Sequence, residues 1–514
     1  MNHINLMSVD LDDRAFVMQR LSRFSTDVQR LLLNEYLSLS SKFERNSYLR
    51  VMTEQLASRL AIPFSKLELN VSEDELRAKS KHLAQSVLAL RRHYQSDEQA
   101  LDTIRAFVRQ HGCKAYEGQY TLLGELGRYS DPKWWLRKLR VALRRNIEIV
   151  MHHLNRINKQ RSLYCSKPTL IARIKQRAYQ RAYLESTIAT NELGQRFSLL
   201  ELSRKGVSDP KIRKGELMMR ARGFEELAKE LNHVATFLTI TCPSKYHRSY
   251  STSGHANPKW GGYSPSDGQW YLNNIWQLMR SKLNRLNVRF YGFRVAEPQH
   301  DGTPHWHLLL FVDRHHHKTM VTVMRDYAMR EDREEKGAAE HRFTEVKIDA
   351  SKGSATGYIA KYISKNIDGS DLDAGVYGED PKDAAARVDA WASCWGIRQF
   401  QQLGGCSVTV WRELRRLKGE LGLSKQQQSV VDAADKGDWK TFTQLMGGVF
   451  SLRKAQLFKP YYELTIDKET GVIKTSMYCS EEWVRSLKGV VSRGQEIITR
   501  VMQWRIASNT CLMF

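Results

Sequence analysis

The segment 297–312, EPQHDGTPHWHLLLFV, constrains the fold of this chain more than any other stretch. Its second half places His305 and His307 on either side of a tryptophan and continues as uninterrupted apolar residues to Val312. That run is too short to span a membrane and predicts a buried β-strand. Side chains two positions apart on a strand point to the same face, so the two imidazoles project side by side. Such a pair is either structural or one half of a divalent-metal site.

A tight turn is predicted just before that strand. The linker QHDGT, residues 299–303, contains an Asp-Gly pair of the kind that closes β-hairpins. The preceding segment NVRFYGFRVAEP predicts a strand, and pairing through the turn brings Glu297 back beside the histidines. Gln299 and His300 compete with it as a third metal ligand, and Glu297 is otherwise a plain edge-strand carboxylate.

A second motif, GYIAKYISKN, follows about fifty residues later. Tyr358 and Tyr362 are four positions apart, and on a helix that spacing places both phenols on one face. Lys361 and Lys365 each follow a tyrosine by three positions and would lie on the same side. There they would stabilise a phenolate or bind phosphate, unless the helix is simply amphipathic with a basic surface.

The charge balance predicts a polyanionic partner. Of the 514 residues, 80 are Lys or Arg and 56 are Asp or Glu, which gives a formal net charge of +24. Nucleic acid and an anionic membrane surface both fit that charge. We expect no membrane span and a cytoplasmic location, because the N-terminal residues lack an apolar signal core. The seven cysteines contain no C-x-x-C pair and are expected to be free thiols, and there is no P-loop.

The chain is predicted to contain three regions, 1–222, 223–420 and 421–514. The first is mostly helical, and its stretch 133–181 is strongly basic, with Trp134, Trp135, Tyr179 and Tyr183 interleaved among the cations. These aromatic rings would either stack on bases or face a helical core. The cations predicted to contact DNA are Arg137, Lys138, Arg144, Arg145, Arg177 and Arg181.

The last region, 421–514, is predicted to form helices and one hairpin in YYELTIDKETGVIKTS, with its turn at Glu-Thr-Gly. We assign it no chemistry. The consecutive residues His315, His316 and His317 are predicted to lie in a solvated connection rather than in a metal site, since consecutive side chains diverge.

The order of these motifs resembles the HUH endonucleases of rolling-circle replication, in which two histidines flank a hydrophobic residue. The helix with two tyrosines resembles that of the bacteriophage replication gene A proteins, and HVATFLTITCPSKYH resembles the strand that precedes the histidine pair. The similarity is clearest between Ala235 and Arg416. It implies an α+β fold with a central antiparallel β-sheet flanked by helices, a helical region before it and a small α+β region after it.

The resemblance also implies a chemistry. Glu297 would join His305 and His307 as the third ligand of Mg²⁺ or Mn²⁺, although Zn²⁺ also accepts these ligand types. Tyr358 or Tyr362 would attack the phosphate of single-stranded origin DNA, become linked to the 5′ end and leave a free 3′ hydroxyl. A host polymerase would extend that end with a separate helicase, and the displaced strand would later be rejoined.

Three other functions fit parts of the sequence. A metal-dependent hydrolase would use the histidines and Glu297 with water and leave both tyrosines as packing residues. A non-catalytic DNA-binding protein would account for the charge alone. A plasmid relaxase or a single-strand transposase belongs to the same superfamily. However, relaxases usually have three clustered histidines and such transposases are much shorter.

Overall fold

The computed structural model describes residues 6–60, 71–348, 353–369, 377–417, 422–466 and 471–507. They form an α+β fold, as the sequence predicts. Across these ranges, the helices are either too short or too polar to cross a lipid bilayer. Six cysteines are buried free thiols, as expected, and Cys511 lies outside the described residues.

The helices are, in chain order, α1 (Arg14–Leu21), α2 (Thr26–Ser38), α3 (Lys42–Arg59), α4 (Glu73–His93), α5 (Asp97–Gln110), α6 (Leu122–Tyr129), α7 (Pro132–His153), α8 (Lys167–Ser186), α9 (Leu199–Arg204), α10 (Pro210–Glu230), α11 (Pro265–Arg285), α12 (His317–Ala328), α13 (Ala338–His341), α14 (Ala355–Ile367), α15 (Pro381–Trp395), α16 (Val408–Leu414), α17 (Lys425–Lys436) and α18 (Trp439–Leu445). The strands are β1 (Ile188–Asn191), β2 (Arg196–Ser198), β3 (His233–Thr241), β4 (Phe290–Pro298), β5 (Pro304–Asp313), β6 (Phe343–Lys347), β7 (Phe400–Leu403), β8 (Lys459–Leu464), β9 (Thr475–Ser476), β10 (Cys479–Trp483), β11 (Arg485–Ser492), β12 (Gln495–Ile498) and β13 (Trp504–Ala507).

The chain divides into two compact units, each assembled from segments that are distant in sequence. The first unit combines Met1–Ser162, Arg248–Ser264 and Leu464–Val484, and the second combines Leu163–His247, Pro265–Glu463 and Arg485–Phe514. The three predicted regions follow sequence order, and they stay a prediction.

The first unit is built mainly from α1–α7. Helices α3–α7 each begin after a residue whose side chain caps free backbone N–H groups. For example, Ser72 accepts from Glu75 N at α4, and Asp131 accepts from Lys133 N and Trp134 N at α7. Trp134 and Trp135 are buried in a helical core of this unit, whereas Tyr179 and Tyr183 of the second unit are exposed. Stacking of bases on the two tryptophans is therefore wrong, because their apolar rings fill the space between helices.

The second unit is organised around a five-stranded sheet with the order β6-β3-β5-β4-β7 and antiparallel pairing throughout. Strands β4 and β5 are joined by the predicted five-residue turn, in which Gln299 N donates to Thr303 O at 2.8 Å. Gly302 has a φ of +82°, which glycine adopts without steric cost. The Asp-Gly hairpin is thus confirmed.

Helices cover the central strands, which explains the long apolar run of β5. Leu309 and Phe311 face a core shared with α10, α14 and α16–α18. Trp306 faces the other side, where its ring centroid lies 6.2 Å from that of Trp276 on α11. A strand buried on both faces has no reason to alternate polar and apolar residues.

The C-terminal region contains more strands than the single predicted hairpin. Ile466 pairs with Ile473 across the predicted turn, whose Glu469 and Thr470 lie outside the described residues. Strands β10–β13 were not predicted, and β13 pairs with β1, more than 300 positions earlier in the chain. Local sequence patterns cannot indicate a partner at that separation.

Candidate metal centre and tyrosine pair

Two adjacent strands, β4 and β5, place the predicted metal ligands on one face of the sheet, and β3 adds a threonine beside them. In the antiparallel registers, His305 of β5 lies directly opposite Glu297 of β4, and His307 lies opposite Thr239 of β3. Residues opposite one another on neighbouring strands share a face, and so do residues two apart on one strand. The hairpin register and the period of the strand therefore bring the carboxylate and both imidazoles together.

The three ligand groups form a tight cluster. Nε2 of His305 and Nε2 of His307 lie 2.8 Å apart, and Oε2 of Glu297 lies 4.0 Å from the first and 3.6 Å from the second. Each separation is shorter than about 4.2 Å, twice the metal–ligand distance of about 2.1 Å for these ligand types. One ion can therefore contact all three. Within the described ranges, this is the one cluster of three or more His, Cys, Asp or Glu residues with ligand atoms this close.

The charge states of the cluster suit a cation. Burial alone would raise the pKa of the Glu297 carboxyl, but Lys365 and the neighbouring His307 outweigh burial and hold that pKa well below its usual range. Burial, followed by the charge of His307, lowers the pKa of His305 well below its usual value. An ionised carboxylate beside a neutral imidazole is the form in which both groups bind metal.

A threonine hydroxyl orients one imidazole. Oγ1 of Thr239 lies 3.0 Å from Nδ1 of His307. In the tautomer in which Nδ1 donates to this hydroxyl, the lone pair of Nε2 points into the cluster and is available to a metal. Nδ1 of His305 is buried and has no hydrogen-bond partner among the described residues. The ligand set therefore fits a divalent ion, with His307 more firmly oriented than His305.

Helix α14 presents both tyrosines to this face of the sheet. The ring centroid of Tyr362 lies 4.0 Å from that of His307 and 5.2 Å from that of Phe237. The ring of Tyr358 lies one helical turn earlier, with its centroid 6.4 Å from that of Phe237. Both rings are half-buried against the core. Burial, and secondarily the Glu297 carboxylate, raises the pKa of Tyr362 to about 12.

The two lysines of α14 occupy different environments. Lys361 is exposed, and its Nζ lies 4.9 Å from the ring centroid of Tyr362. Lys365 is buried, and its Nζ donates to Oε2 of Glu297 at 3.1 Å. In the structure the ammonium group of Lys365 thus pairs with the carboxylate, and the role of Lys365 in stabilising a phenolate or binding phosphate stays a prediction.

One amide that the sequence did not predict donates to the carboxylate, and a second amide donates to the first. Nδ2 of Asn366 donates to Oε1 of Glu297 and to the carbonyl oxygen of Tyr362, the latter at 2.7 Å. Nε2 of Gln399 donates to Oδ1 of Asn366 at 3.2 Å. Asn366 directly follows Lys365 near the end of the tyrosine helix, and this position was a weak indication that it lies near the cluster. Gln399 precedes the edge strand β7 and offered none.

The two alternative candidates for the third ligand, Gln299 and His300, lie outside the cluster. His300 is buried next to Asp301 and is outside the cluster, and the backbone of Gln299 closes the hairpin. Arg314, His315 and His316 form a short 3-10 helix before α12, and Nε2 of His317 lies 3.5 Å from Oε1 of Glu345. His315 and His316 thus lie in the predicted connection, whereas His317 is the first residue of α12.

The cations predicted to bind DNA are distributed over both units. In the first unit, Arg137 donates to the hydroxyl of Tyr478 at 2.9 Å, and Lys138 lies over the ring of Tyr116. In the second, Arg177 forms an ion pair with Asp389 at 2.8 Å, and Arg181 forms one with a glutamate of its own helix. Arg144 and Arg145 lie half-buried on α7. Contact of these residues with DNA stays a prediction.

Comparison with known proteins supplies the family. The model of the bacteriophage replication gene A protein family matches residues 49–370, which include the candidate metal cluster and both tyrosines. The replication gene A protein of Escherichia phage 186 is 41% identical over 389 residues, which cover 73% of this chain and 54% of that protein. The replication protein of Haemophilus phage HP1 is 38% identical over 390 residues, which cover 74% and 48%.

A probable replication endonuclease from a prophage-like region of Salmonella typhimurium is 34% identical over 397 residues, which cover 74% of this chain and 48% of that protein. The chain thus spans about half the length of the curated relatives it matches. No solved structure matches it. Since the family model covers more than half of the residues and includes His305, His307, Glu297 and both tyrosines, the chain belongs to the bacteriophage replication gene A protein family.

Proposed function

We propose that this chain initiates rolling-circle replication of a phage genome by nicking single-stranded origin DNA. In this proposal, a tyrosine of α14 forms a covalent bond to the 5′ side of the nick. The observation that carries the proposal is the position of Tyr362, whose ring centroid lies 4.0 Å from that of the candidate ligand His307. The names of the relatives, which include replication gene A proteins and probable replication endonucleases, support the same role.

Each residue of the cluster has a task in this reaction. His305, His307 and Glu297 would hold Mg²⁺ or Mn²⁺, with Asn366 and Lys365 fixing the orientation of the carboxylate. The bound ion would polarise the scissile phosphate and offset its developing charge. Phe237 and His307 pack against Tyr362 and limit the movement of its phenol, so part of the orientation entropy is removed before reaction.

The covalent step is a transesterification. The phenol oxygen attacks phosphorus and loses its proton to solvent, while the bond from phosphorus to the 3′ oxygen breaks and that oxygen takes up a proton. The phosphotyrosine retains the free energy of a phosphodiester, so a 3′ hydroxyl can reverse the step and rejoin the strand without ATP. The released 3′ end would serve a host polymerase, with a separate helicase opening the duplex in the bacterial cytoplasm.

Two tyrosines on one helix would allow a second cleavage while the first 5′ end is still bound. Tyr358→Phe and Tyr362→Phe remove one hydroxyl each and keep the ring that packs in the core. Each single variant should form a covalent adduct with a short single-stranded origin oligonucleotide and Mg²⁺, but should give no unit-length circle in a replication assay. The double variant should form no adduct. Mass analysis of the tryptic peptide identifies the attacking residue.

A metal-dependent hydrolase remains a second candidate, because both tyrosines pack against the core as structural residues would. In that case the double phenylalanine variant would still cleave DNA, and no peptide would carry a nucleotide. Cleavage without an adduct in the wild-type protein would replace the transesterification by hydrolysis.

A further inference from the structure

A cavity of about 690 Å³ lies in the second unit, along the edge strand β7 of the five-stranded sheet. Helices α10 and α16 and the turn after β7 complete its wall. The polar and charged residues that line it are Arg213, Glu216, Arg220, Arg398, Gln399, Gln402, Ser407, Thr409, Arg412 and Arg453. Five guanidinium groups thus line one space.

The cavity is strongly positive. Glu216 is its one lining acid, and its carboxylate accepts from Arg412 at 2.8 and 2.9 Å and lies 3.4 Å from Arg220. One carboxylate cannot neutralise five guanidinium groups. Arg398 and Arg453 are exposed at its rim and form no ion pair within 4 Å among the described residues. An anion entering the cavity therefore meets uncompensated charge.

Part of this charge is already desolvated. Nε of Arg213 is buried and has no hydrogen-bond partner among the described residues. Burial lowers the pKa of Arg220 to about 10, so this guanidinium is held at a cost in solvation. A buried donor without an acceptor costs free energy that an anionic ligand would recover. Guanidinium groups bind phosphate oxygens through two parallel N–H donors, which lysine cannot reproduce.

One residue, Gln399, connects the cavity to the candidate metal cluster. Gln399 lines the cavity, its carbonyl oxygen accepts from Ala296 N at 2.8 Å, and its side chain donates to Asn366. Ala296 precedes Glu297, so the wall of the cavity begins roughly one strand spacing, about 5 Å, from the backbone of the metal-binding strand. A single strand that occupied both the metal cluster and the cavity would therefore follow this edge of the sheet.

We propose that this arginine cavity binds a backbone phosphate of the single-stranded DNA, a few nucleotides from the phosphate that is cleaved. This inference rests on the proposed function for the identity of the strand, and its chemistry is that of a phosphodiester anion. The cavity sets the register of the strand, because a phosphate fixed at β7 determines which phosphate reaches the histidine cluster.

The test measures binding and cleavage separately. Fluorescence anisotropy with a labelled origin oligonucleotide in EDTA compares wild type with the double variant Arg398→Ala/Arg453→Ala at several salt concentrations. Arg222→Ala is the matched control, since Arg222 lies on α10 outside the cavity and is exposed. The double variant should bind several-fold more weakly, and its slope of log affinity against log salt should fall by about 0.7 for each phosphate that the protein no longer neutralises. The control should match wild type.

A chemical scan identifies the phosphate. Oligonucleotides with one neutral methylphosphonate at each position near the nick are titrated against both proteins. At one or two flanking positions the substitution should weaken binding to wild type and have no further effect in the double variant. Additive losses at every position, or unchanged affinity of the double variant, would overturn the proposal. If millimolar inorganic phosphate displaces the oligonucleotide and no methylphosphonate position has a specific effect, the cavity is a site for free anions. That result would also overturn the proposal.

The same experiments separate this inference from the proposed function. Binding in EDTA needs no catalysis, so a wild-type protein that binds in register but forms no adduct would leave the cavity assigned and reject only the transesterification. With Mg²⁺ present, the double variant should also cut at neighbouring positions, because the strand would no longer be fixed at β7.

Discussion

The ammonium group of Lys365 lies 3.1 Å from Oε2 of Glu297, the carboxylate oxygen that also faces both imidazoles. The two groups are buried and 68 positions apart in sequence. A divalent ion bound by the cluster would share this oxygen with the ammonium group, and the two cations would repel each other. Lys365 therefore opposes metal binding electrostatically even though it holds the carboxylate in place.

Removing the ammonium group should strengthen metal binding. Lys365→Met keeps an unbranched side chain of similar length and removes one positive charge next to the ion. Coulomb repulsion between the ammonium group and an ion bound to the same carboxylate oxygen is worth several kcal/mol, even at an effective dielectric constant of about 20. We therefore expect Mn²⁺ affinity to rise about tenfold or more. Titration calorimetry measures it, with the exposed Lys361→Met as control. Weaker Mn²⁺ binding in Lys365→Met would mean that the ammonium group acts mainly by positioning Glu297.

The neighbouring amide should have the opposite effect. Asn366→Ala removes the hydrogen bond to Oε1 of Glu297 and breaks the link to Gln399 without changing any charge. Groups that orient a metal ligand typically contribute 10- to 100-fold to metal affinity, so we expect a loss of about that size. Raised Mn²⁺ should restore cleavage. Gln399→Ala, one hydrogen bond further away, should lose less. Equal affinity of wild type and Asn366→Ala would show that the amide is not needed for orientation.

His305→Ala should abolish cleavage while DNA affinity in EDTA stays within about twofold of wild type. Its ring supplies one ligand to the cluster, whereas affinity for DNA comes from many phosphate contacts. His305 is the better choice than His307, whose ring also packs against Tyr362 and Phe237. Gel-based cleavage and anisotropy on the same preparation provide the measurement. Parallel loss of binding in a folded variant would argue against a metal role.

Gly292 in the middle of β4 should tolerate no side chain. Its φ is +147°, and a Cβ placed there would lie 1.9 Å from the carbonyl oxygen of Leu309 on β5. Gly292→Ala should destabilise the fold by about 3 kcal/mol or more, measured by urea unfolding. The control is Gly215→Ala on α10, where a Cβ meets no atom within 4 Å. Since alanine favours a helix over glycine, that variant should be stabilised by up to about 1 kcal/mol. Similar stability of both variants would contradict this reasoning.

The elements of the site could be predicted from sequence because each depends on local chemistry. The Asp-Gly turn determines the hairpin, the hairpin determines that Glu297 lies opposite His305, and the four-residue spacing places Tyr358 and Tyr362 on one face of α14. Each of these steps needs only neighbouring residues and the period of one element. The strand, the turn and the helix were therefore accessible without tertiary information.

The contacts between elements were not accessible. Helix periodicity places Lys365 beside Tyr362, but the packing of α14 on the sheet decides that its ammonium group turns to Glu297. Trp134 likewise has a helical spacing that fits both a DNA-facing surface and a core, and only the packing of α4–α7 buries it. Gln399 supports the cluster through a hydrogen bond to Asn366, which is 33 positions away in the sequence. In each case the deciding contact joins elements whose relative position no local pattern specifies.

The raised pKa of Tyr362 predicts how its reaction depends on pH. Burial is the main cause, the Glu297 carboxylate adds to it, and the resulting pKa of about 12 leaves the phenol neutral at pH 7. Below that pKa the phenolate fraction rises tenfold for each pH unit. In Tyr358→Phe, where Tyr362 is the remaining nucleophile of the pair, single-turnover adduct formation should therefore increase steeply between pH 7 and 9.

The measurement is a rapid-quench time course at saturating DNA and saturating Mg²⁺, so that neither binding step limits the rate. A slope of log rate against pH close to +1 over these two units is the expected result, with no plateau before pH 9. A plateau near neutral pH would mean that Tyr362 titrates far below 12 in the complex, and that the bound ion or a lysine stabilises its phenolate. A rate independent of pH would mean that a step other than attack by the phenol limits adduct formation.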